Sequence, residues 1–130
     1  MFESPSAGKA LAEVAHQHAR LAQHIKAVRH TLEQGGAWEG LAQELDSVIE
    51  VLADHFADEQ ALMKERAYPA MPEHVAQHAA ILGRVRSLRE ECENKRTELA
   101  PVLLDFLQQS LERHENTVDR AFEQFIAEMG

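Results

Sequence analysis

The stretch HFADEQALMKERAYPAMPEHVAQH, residues 55–78, decides the fold of this chain. His55 and Glu59 are four residues apart, and His74 and His78 repeat this spacing after a Tyr-Pro turn. Side chains four residues apart lie on one face of a helix, one turn above the other. Because the residue before a proline is pushed out of the helical region, the turn separates two helices. Each of these helices presents a pair of metal-ligating side chains.

Apolar residues at helical spacing predict two more helices outside this stretch, four in all. The predicted helices cover about residues 6–34, 41–66, 72–94 and 97 onward. Gly35 and Gly36 stop the first helix, and Pro101 is tolerated only in the opening turn of the last. Since the connections are short, neighbouring helices should run antiparallel. The sequence predicts an all-α fold, an up-down-up-down four-helix bundle that forms a single domain over residues 1–130.

Three further polar side chains interrupt the apolar stripes of the first and last helices. His18 takes a core position between Val14 and Leu21, while His114 and Asp119 are five residues apart on the last helix. Burying five imidazoles and two carboxylates is very costly unless something compensates them. Imidazole and carboxylate together suit iron, manganese or zinc. The set therefore predicts a centre of two metal ions that share the two carboxylates.

Other interpretations of these residues are weaker. One buried histidine is usually a hydrogen-bonded core residue, but here all four predicted helices contribute an inward-facing ligand. Ferritin-like bundles need two Glu-x-x-His motifs, and the only one present, Glu13 to His16, points away from the apolar stripe. His16, His24 and His30 are expected to be solvated. Cys92 is the single cysteine, which excludes the usual thiolate metal sites and Cys-x-x-Cys-His attachment of haem.

Composition agrees with this interpretation and limits the partners. The chain has 130 residues, of which 45% are hydrophobic and 5% aromatic, and a formal net charge of -9. This acidic balance argues against binding to nucleic acid or to a negatively charged membrane surface. No apolar run approaches the roughly 18 residues of a membrane span. Because the N-terminal residues MFESPSAGKA lack the features of a signal peptide, the cytoplasm is the expected location.

These residues resemble the hemerythrin family, in particular its bacterial members. Residues 55–78 look like the family's central signature, including the aromatic residue after the first histidine and the Tyr-Pro turn. QHARLAQHI, residues 17–25, resembles the motif of the first helix, and HENTVD, residues 114–119, resembles that of the last. Together these stretches extend the resemblance over most of the chain.

The resemblance implies how the ligands divide between two iron ions joined by an oxo or hydroxo bridge. Three histidines would hold one iron and two the other, with Glu59 and Asp119 bridging both. In the family, the second iron keeps an open position at which dioxygen binds. The implied ligands are His74, His78 and His114 for the first iron, and His18 and His55 for the second.

The sequence departs from the family pattern near this open position. Ser110 stands where a tryptophan is usual, and Ala15 replaces an acidic residue of the first motif, whereas Leu111 keeps the apolar character expected of the oxygen pocket. Glu115 replaces an apolar residue, and a helical wheel places it between two presumed ligands, facing the site. We expect its carboxylate either to ligate the second iron or to hydrogen-bond a small molecule there and donate a proton. The alternative is that it turns toward solvent.

Two functions from different classes follow from these residues. The first is a hemerythrin-like di-iron protein that binds or senses dioxygen or a related small oxidant. The second is a di-iron oxidoreductase, a peroxidase or an enzyme that handles peroxide or nitric oxide, in which Glu115 is the ligand or proton donor. Iron storage is a weaker interpretation, because five buried histidines suit a retained cofactor. No residue pattern identifies a redox or signalling partner.

Overall fold

The computed structural model describes residues 7–95 and 98–129. The helices are α1 (Ala7–Glu33), α2 (Trp38–Glu65), α3 (Met71–Lys95), α4 (Ala100–His114) and α5 (Arg120–Met129). One π-helical turn, Glu115–Asp119, joins α4 to α5, so that these two helices form a single fourth rod. Each helix packs against the next along the chain, and α1 closes the bundle against α4 and α5. The predicted all-α, up-down-up-down four-helix bundle is confirmed.

The first connection is tighter than the sequence indicated. Gly35 adopts a φ of 70°, the left-handed conformation that ends α1. The second helix starts at Trp38 rather than at Leu41, so the tryptophan belongs to the helix and not to the loop. The guanidinium of Arg89 lies 5.6 Å from the centre of the Trp38 ring and ties this end of α2 to α3.

Two of the four prolines lie at the starts of described helices. Pro72 is in the first turn of α3 and Pro101 in the first turn of α4, where a missing N–H leaves no helical hydrogen bond unmade. The predicted starts of the first helix at Ser6 and of the last near Thr97 lie outside the described residues. Within the described ranges, no helix combines the length and apolarity that crossing a membrane would require.

The core is divided into a larger and a smaller apolar cluster, with polar side chains between them. On the fourth rod, Leu111 belongs to the larger cluster and Phe122 to the smaller one. His114 and Asp119 lie between these two residues and are buried. The two apolar clusters thus enclose a layer of buried polar side chains across the middle of the bundle.

The π-helical turn sets the direction of two of these polar side chains. In a regular α-helix, residues five apart differ in direction by about 140°. A π turn adds one residue to the turn and aligns residues i and i+5. Accordingly, His114 Nε2 and Asp119 Oδ1 are only 3.0 Å apart. The regular last helix that the sequence predicts does not contain this turn.

Candidate metal centre

Seven side chains meet in the polar layer and form two groups with shared members. Within each group, one nitrogen or oxygen atom per residue lies within 4.8 Å of all the others. The three-histidine group consists of Glu59, His74, His78, His114 and Asp119, and the two-histidine group of His18, His55, Glu59 and Asp119. The structure therefore brings together all seven side chains that the sequence predicted as ligands.

Glu59 lies between the two groups and turns one oxygen toward each. Its Oε1 contacts His74 Nε2 and lies 3.1 Å from His78 Nε2. Its Oε2 lies on the other side, 3.6 Å from His55 Nε2. This arrangement is the one that a bridging carboxylate requires.

Asp119 divides its oxygens in the same way. Its Oδ1 lies 2.8 Å from His74 Nε2 and 3.0 Å from His114 Nε2. Its Oδ2 lies 3.1 Å from His18 Nε2, on the side of the two-histidine group. Both carboxylates thus face two separate sets of imidazole nitrogens.

Three buried atoms of the two-histidine group make no hydrogen bond of good geometry, although two of them face each other at 3.1 Å. They are His18 Nε2, Glu59 Oε2 and Asp119 Oδ2. An unsatisfied buried polar group costs about 1–3 kcal/mol, and more when it is charged. A cation coordinated by these atoms would remove that cost. The nitrogen and oxygen donors suit iron, manganese or zinc, so the residues present fit a pair of such ions.

His18 is the most exposed of the seven side chains. The side chains of Glu59, His74 and Asp119 are each 1% exposed, whereas that of His18 is 17% exposed. His18 is also the only ligand that α1 contributes to either group. The two-histidine group is therefore the more accessible half of the centre.

Three glutamines that were not among the predicted site residues fix the orientation of histidine rings. Each glutamine Oε1 lies within hydrogen-bonding distance of a histidine Nδ1 on the next helix. The pairs are Gln17 with His55 at 2.6 Å, Gln60 with His78 at 2.8 Å, and Gln77 with His114 at 3.2 Å. Because an amide oxygen can only accept, Nδ1 donates and the lone pair of the neutral ring is on Nε2. Such outer hydrogen bonds orient the rings of metal-binding histidines.

The sequence does contain one sign of these glutamines, their position beside the ligands. Each glutamine directly precedes or follows a ligand in the chain, as Gln17 precedes His18 and Gln60 follows Glu59. However, each serves a histidine on another helix, and that pairing depends on the packing of the bundle. The bonds link α1 to α2, α2 to α3, and α3 to α4.

Charge in the centre favours ionised carboxylates. Burial alone raises the pKa values of Glu59 and Asp119, but contacts with the surrounding histidines outweigh it. As a result, the pKa of Glu59 falls to about 2 and that of Asp119 lies well below its usual range. Burial also lowers the pKa of His114, but the two carboxylates raise it to about 9. The centre therefore retains two anionic groups that can attract cations.

Comparison with known proteins agrees with this geometry. The family model of the hemerythrin HHE cation binding domain matches residues 9–126. The chain belongs to the hemerythrin family. It is also 35% identical over 78 residues to myohemerythrin from Sipunculus nudus, an alignment that covers 60% of this chain and 59% of that hemerythrin relative. The match thus spans less than two thirds of either chain, and no solved structure matches significantly.

In this member of the hemerythrin family, Glu115 lies beside the centre but outside both ligand groups. The side chain is half-buried and lines a cavity of about 350 Å³ between α1 and α4. Leu21, Ile25 and Leu111 form an apolar wall of the same cavity. Burial raises the pKa of the Glu115 carboxyl. Leu111 and Glu115 thus line one cavity, while the oxygen-pocket role of Leu111 and coordination by Glu115 stay predictions.

The remaining histidines of this hemerythrin domain do not take part in the centre. His16 and His30 are exposed, as expected, whereas His24 is partly buried. None of the three belongs to either ligand group formed by the described residues.

Proposed function

We propose that this chain is a non-haem di-iron protein that binds or senses dioxygen or a related small oxidant. His74, His78 and His114 would hold one iron, His18 and His55 the second, and Glu59 and Asp119 would bridge them. The observation that carries the proposal is the division of both carboxylates' oxygens between two sets of imidazole nitrogens. When bound, two ferrous ions would supply the electrons that an oxidant accepts.

The unequal ligand groups support binding of a small molecule at the second iron. The three-histidine group offers five ligand side chains and the two-histidine group four. The second ion would therefore have more room for an external ligand. The nearby cavity between α1 and α4 has an apolar wall that includes Leu21, Ile25 and Leu111. Such a wall favours small uncharged molecules such as dioxygen.

Anaerobic reconstitution with ferrous iron tests this proposal. We expect two iron ions per chain, one for each ligand group. Exposure to air should then produce the visible absorption bands of an oxidised iron pair. Replacing His78 by alanine should reduce the iron content, whereas the exposed His16 offers a matched control. A wild-type protein that retains fewer than two ions, or that shows no spectral change in air, would refute the proposal.

A di-iron oxidoreductase acting on peroxide is the second candidate function, and the position of Glu115 favours it. Its half-buried carboxylate lines the same cavity as Leu111, on the side of the fourth rod that carries His114 and Asp119. There it can ligate the second iron, or hold and transfer a proton to a small molecule that arrives through the cavity. Either role would favour peroxide cleavage over reversible oxygen binding.

Substituting Glu115 by leucine distinguishes the two functions. If Glu115 is the ligand or proton donor, Glu115→Leu should lower the turnover of peroxide with an electron donor and improve reversible oxygen binding. Glu112→Leu is the matched control, because Glu112 is exposed and lines the same cavity. Unchanged turnover and unchanged oxygen binding in Glu115→Leu would remove the role assigned to this residue.

A further inference from the structure

A second cavity reaches the centre from the opposite side of α1. It has a volume of about 340 Å³ and lies between α1 and α2. Four carboxylates line it, against a single basic side chain, that of Lys9. We call this space the acidic cavity; its carboxylates belong to Glu13, Asp58, Glu59 and Glu65.

The acidic cavity shares one of its lining residues with the metal centre. Glu59 lines the cavity, yet it is only 2% exposed. Its Oε2 has no hydrogen-bond partner and belongs to the side that faces His55. Glu59 therefore belongs both to the lining of the acidic cavity, beside the exposed carboxylates of Glu13 and Asp58, and to the buried metal centre.

Gln17 connects the outer carboxylates to the centre. Its Nε2 donates to Glu13 Oε1 at 3.2 Å and to Asp58 Oδ2 at 3.1 Å. Because carboxylates can only accept, these bonds fix the orientation of the amide, whose Oε1 accepts from His55 Nδ1 at 2.6 Å. The two outer carboxylates are thus held close together, one hydrogen-bonded residue away from a ligand.

The cavity between α1 and α4 differs in charge. Its two acidic side chains, Glu112 and Glu115, are offset by the basic side chains of Lys26 and Arg29. The acidic cavity instead has an excess of negative charge, and a cleft lined by one sign of charge concentrates counter-ions. A divalent cation is therefore favoured in the acidic cavity over the cavity between α1 and α4.

We propose that divalent cations reach the two-histidine group through the acidic cavity. Glu13 and Asp58 collect the hydrated ion, and Glu59 receives it at the inner end. This inference rests on the proposed metal centre but assigns a separate property, the route and rate of metal loading. With this route, the cavity between α1 and α4 remains available to the small oxidant.

Removal of the outer charges tests this route. The metal-free full chain is mixed rapidly with Co²⁺, and uptake is followed by the visible absorption of histidine-bound cobalt. The variant Glu13→Gln/Asp58→Asn removes two charges but keeps acceptors for Gln17. The control Glu33→Gln/Glu50→Gln removes two exposed charges from the same helices, outside the cavity.

At low salt, we expect Glu13→Gln/Asp58→Asn to load at least about fivefold more slowly than the control, since charge steering changes association rates by 10-fold or more. The difference should shrink at high salt, because salt screens exposed charges. Both variants should still bind two ions at equilibrium. Equal rates for the two variants, or loss of an ion at equilibrium from Glu13→Gln/Asp58→Asn, would overturn the route. If wild type itself fails to bind two ions, the metal centre fails instead.

Two substitutions that enlarge a side chain, one in each cavity, provide a second test that does not depend on charge. Ala61 is exposed and lines the acidic cavity, and Ala22 is exposed and lines the cavity between α1 and α4. Ala61→Phe should slow Co²⁺ uptake, whereas Ala22→Phe should leave it unchanged. Slower uptake in Ala22→Phe alone would place the route on the other side of α1 and overturn the proposal.

Discussion

Gln60 offers a direct test of how the outer hydrogen bonds support the centre. Its Oε1 accepts from His78 Nδ1 at 2.8 Å, and a leucine would fill similar space without accepting. Because His78 is only 1% exposed, water cannot easily replace the lost acceptor. Phe56 stacks on the His78 ring with centroids 3.8 Å apart and planes 7° from parallel. The ring should therefore keep its position, and the loss should be electrostatic.

The expected magnitude follows from this geometry. An unpaired buried donor costs about 1–3 kcal/mol. The cost should be larger when a metal draws electrons from the ring, because the Nδ1–H then carries more positive charge. Loss of such an outer partner typically lowers metal affinity by about 10- to 100-fold. At about 1.4 kcal/mol per factor of ten, this range is about 1.4–2.8 kcal/mol, which agrees with the cost of the lost bond.

The assay is a titration of metal-free protein with Co²⁺ in the presence of a competing chelator. Gln60→Leu should weaken binding at the three-histidine group by the stated factor, and Gln60→Glu, which keeps an acceptor, should restore it. Gln77→Leu should have a smaller effect, because Gln77 is exposed and its bond is longer, 3.2 Å. An affinity of Gln60→Leu within about twofold of wild type would refute the reasoning.

Four further predictions concern other residues. Cys92 is 0% exposed and burial raises its thiol pKa, so a thiol reagent should label it only after denaturation; rapid labelling of folded protein would contradict this. Gly83→Ala should raise the free energy of unfolding by about 0.5–1 kcal/mol, because it is an exposed helical position with open space. Gly35→Ala should lower it by about 1–2 kcal/mol, because the φ of 70° strains a side chain; urea denaturation measures both. In metal-free protein, the raised pKa of His114, about 9, gives stability that is complete below pH 6.5 and is lost as pH rises through 9. The urea midpoint should fall over that range, and a flat profile would be inconsistent.

The fold was predictable because the signals that determine it are local. Apolar periodicity identified the helices, and Gly35 and Pro101 marked an end and a start whose backbone requirements do not depend on distant residues. The predicted start of the second helix was three residues late, because the inclusion of Trp38 depends on its contact with Arg89 of α3. The single-domain prediction over residues 1–130 stays a prediction.

The candidate site was predictable in composition but not in all of its geometry. Inward-facing ligands such as His55 and Glu59 are visible as polar interruptions of apolar stripes. The π-helical turn between His114 and Asp119 was missed, because a wheel of 100° per residue assumes a regular helix. The unusual spacing of five was its only sign in the sequence. Gln60 and its counterparts were missed because their partners lie on other helices.

The unequal contribution of the helices has a consequence for mechanical coupling. The three-histidine group takes no ligand from α1, whereas the two-histidine group takes His18 from it. An ion in the three-histidine group would therefore keep its ligands if α1 detached, whereas an ion bound by His18 would tether that helix to the bundle. By thermodynamic reciprocity, a partner that favours detachment of α1 would lower the affinity of the two-histidine group for its ion. The bound ion would lower the affinity of that partner by the same factor. Metal occupancy of the two-histidine group and docking of α1 would thus be a single linked equilibrium.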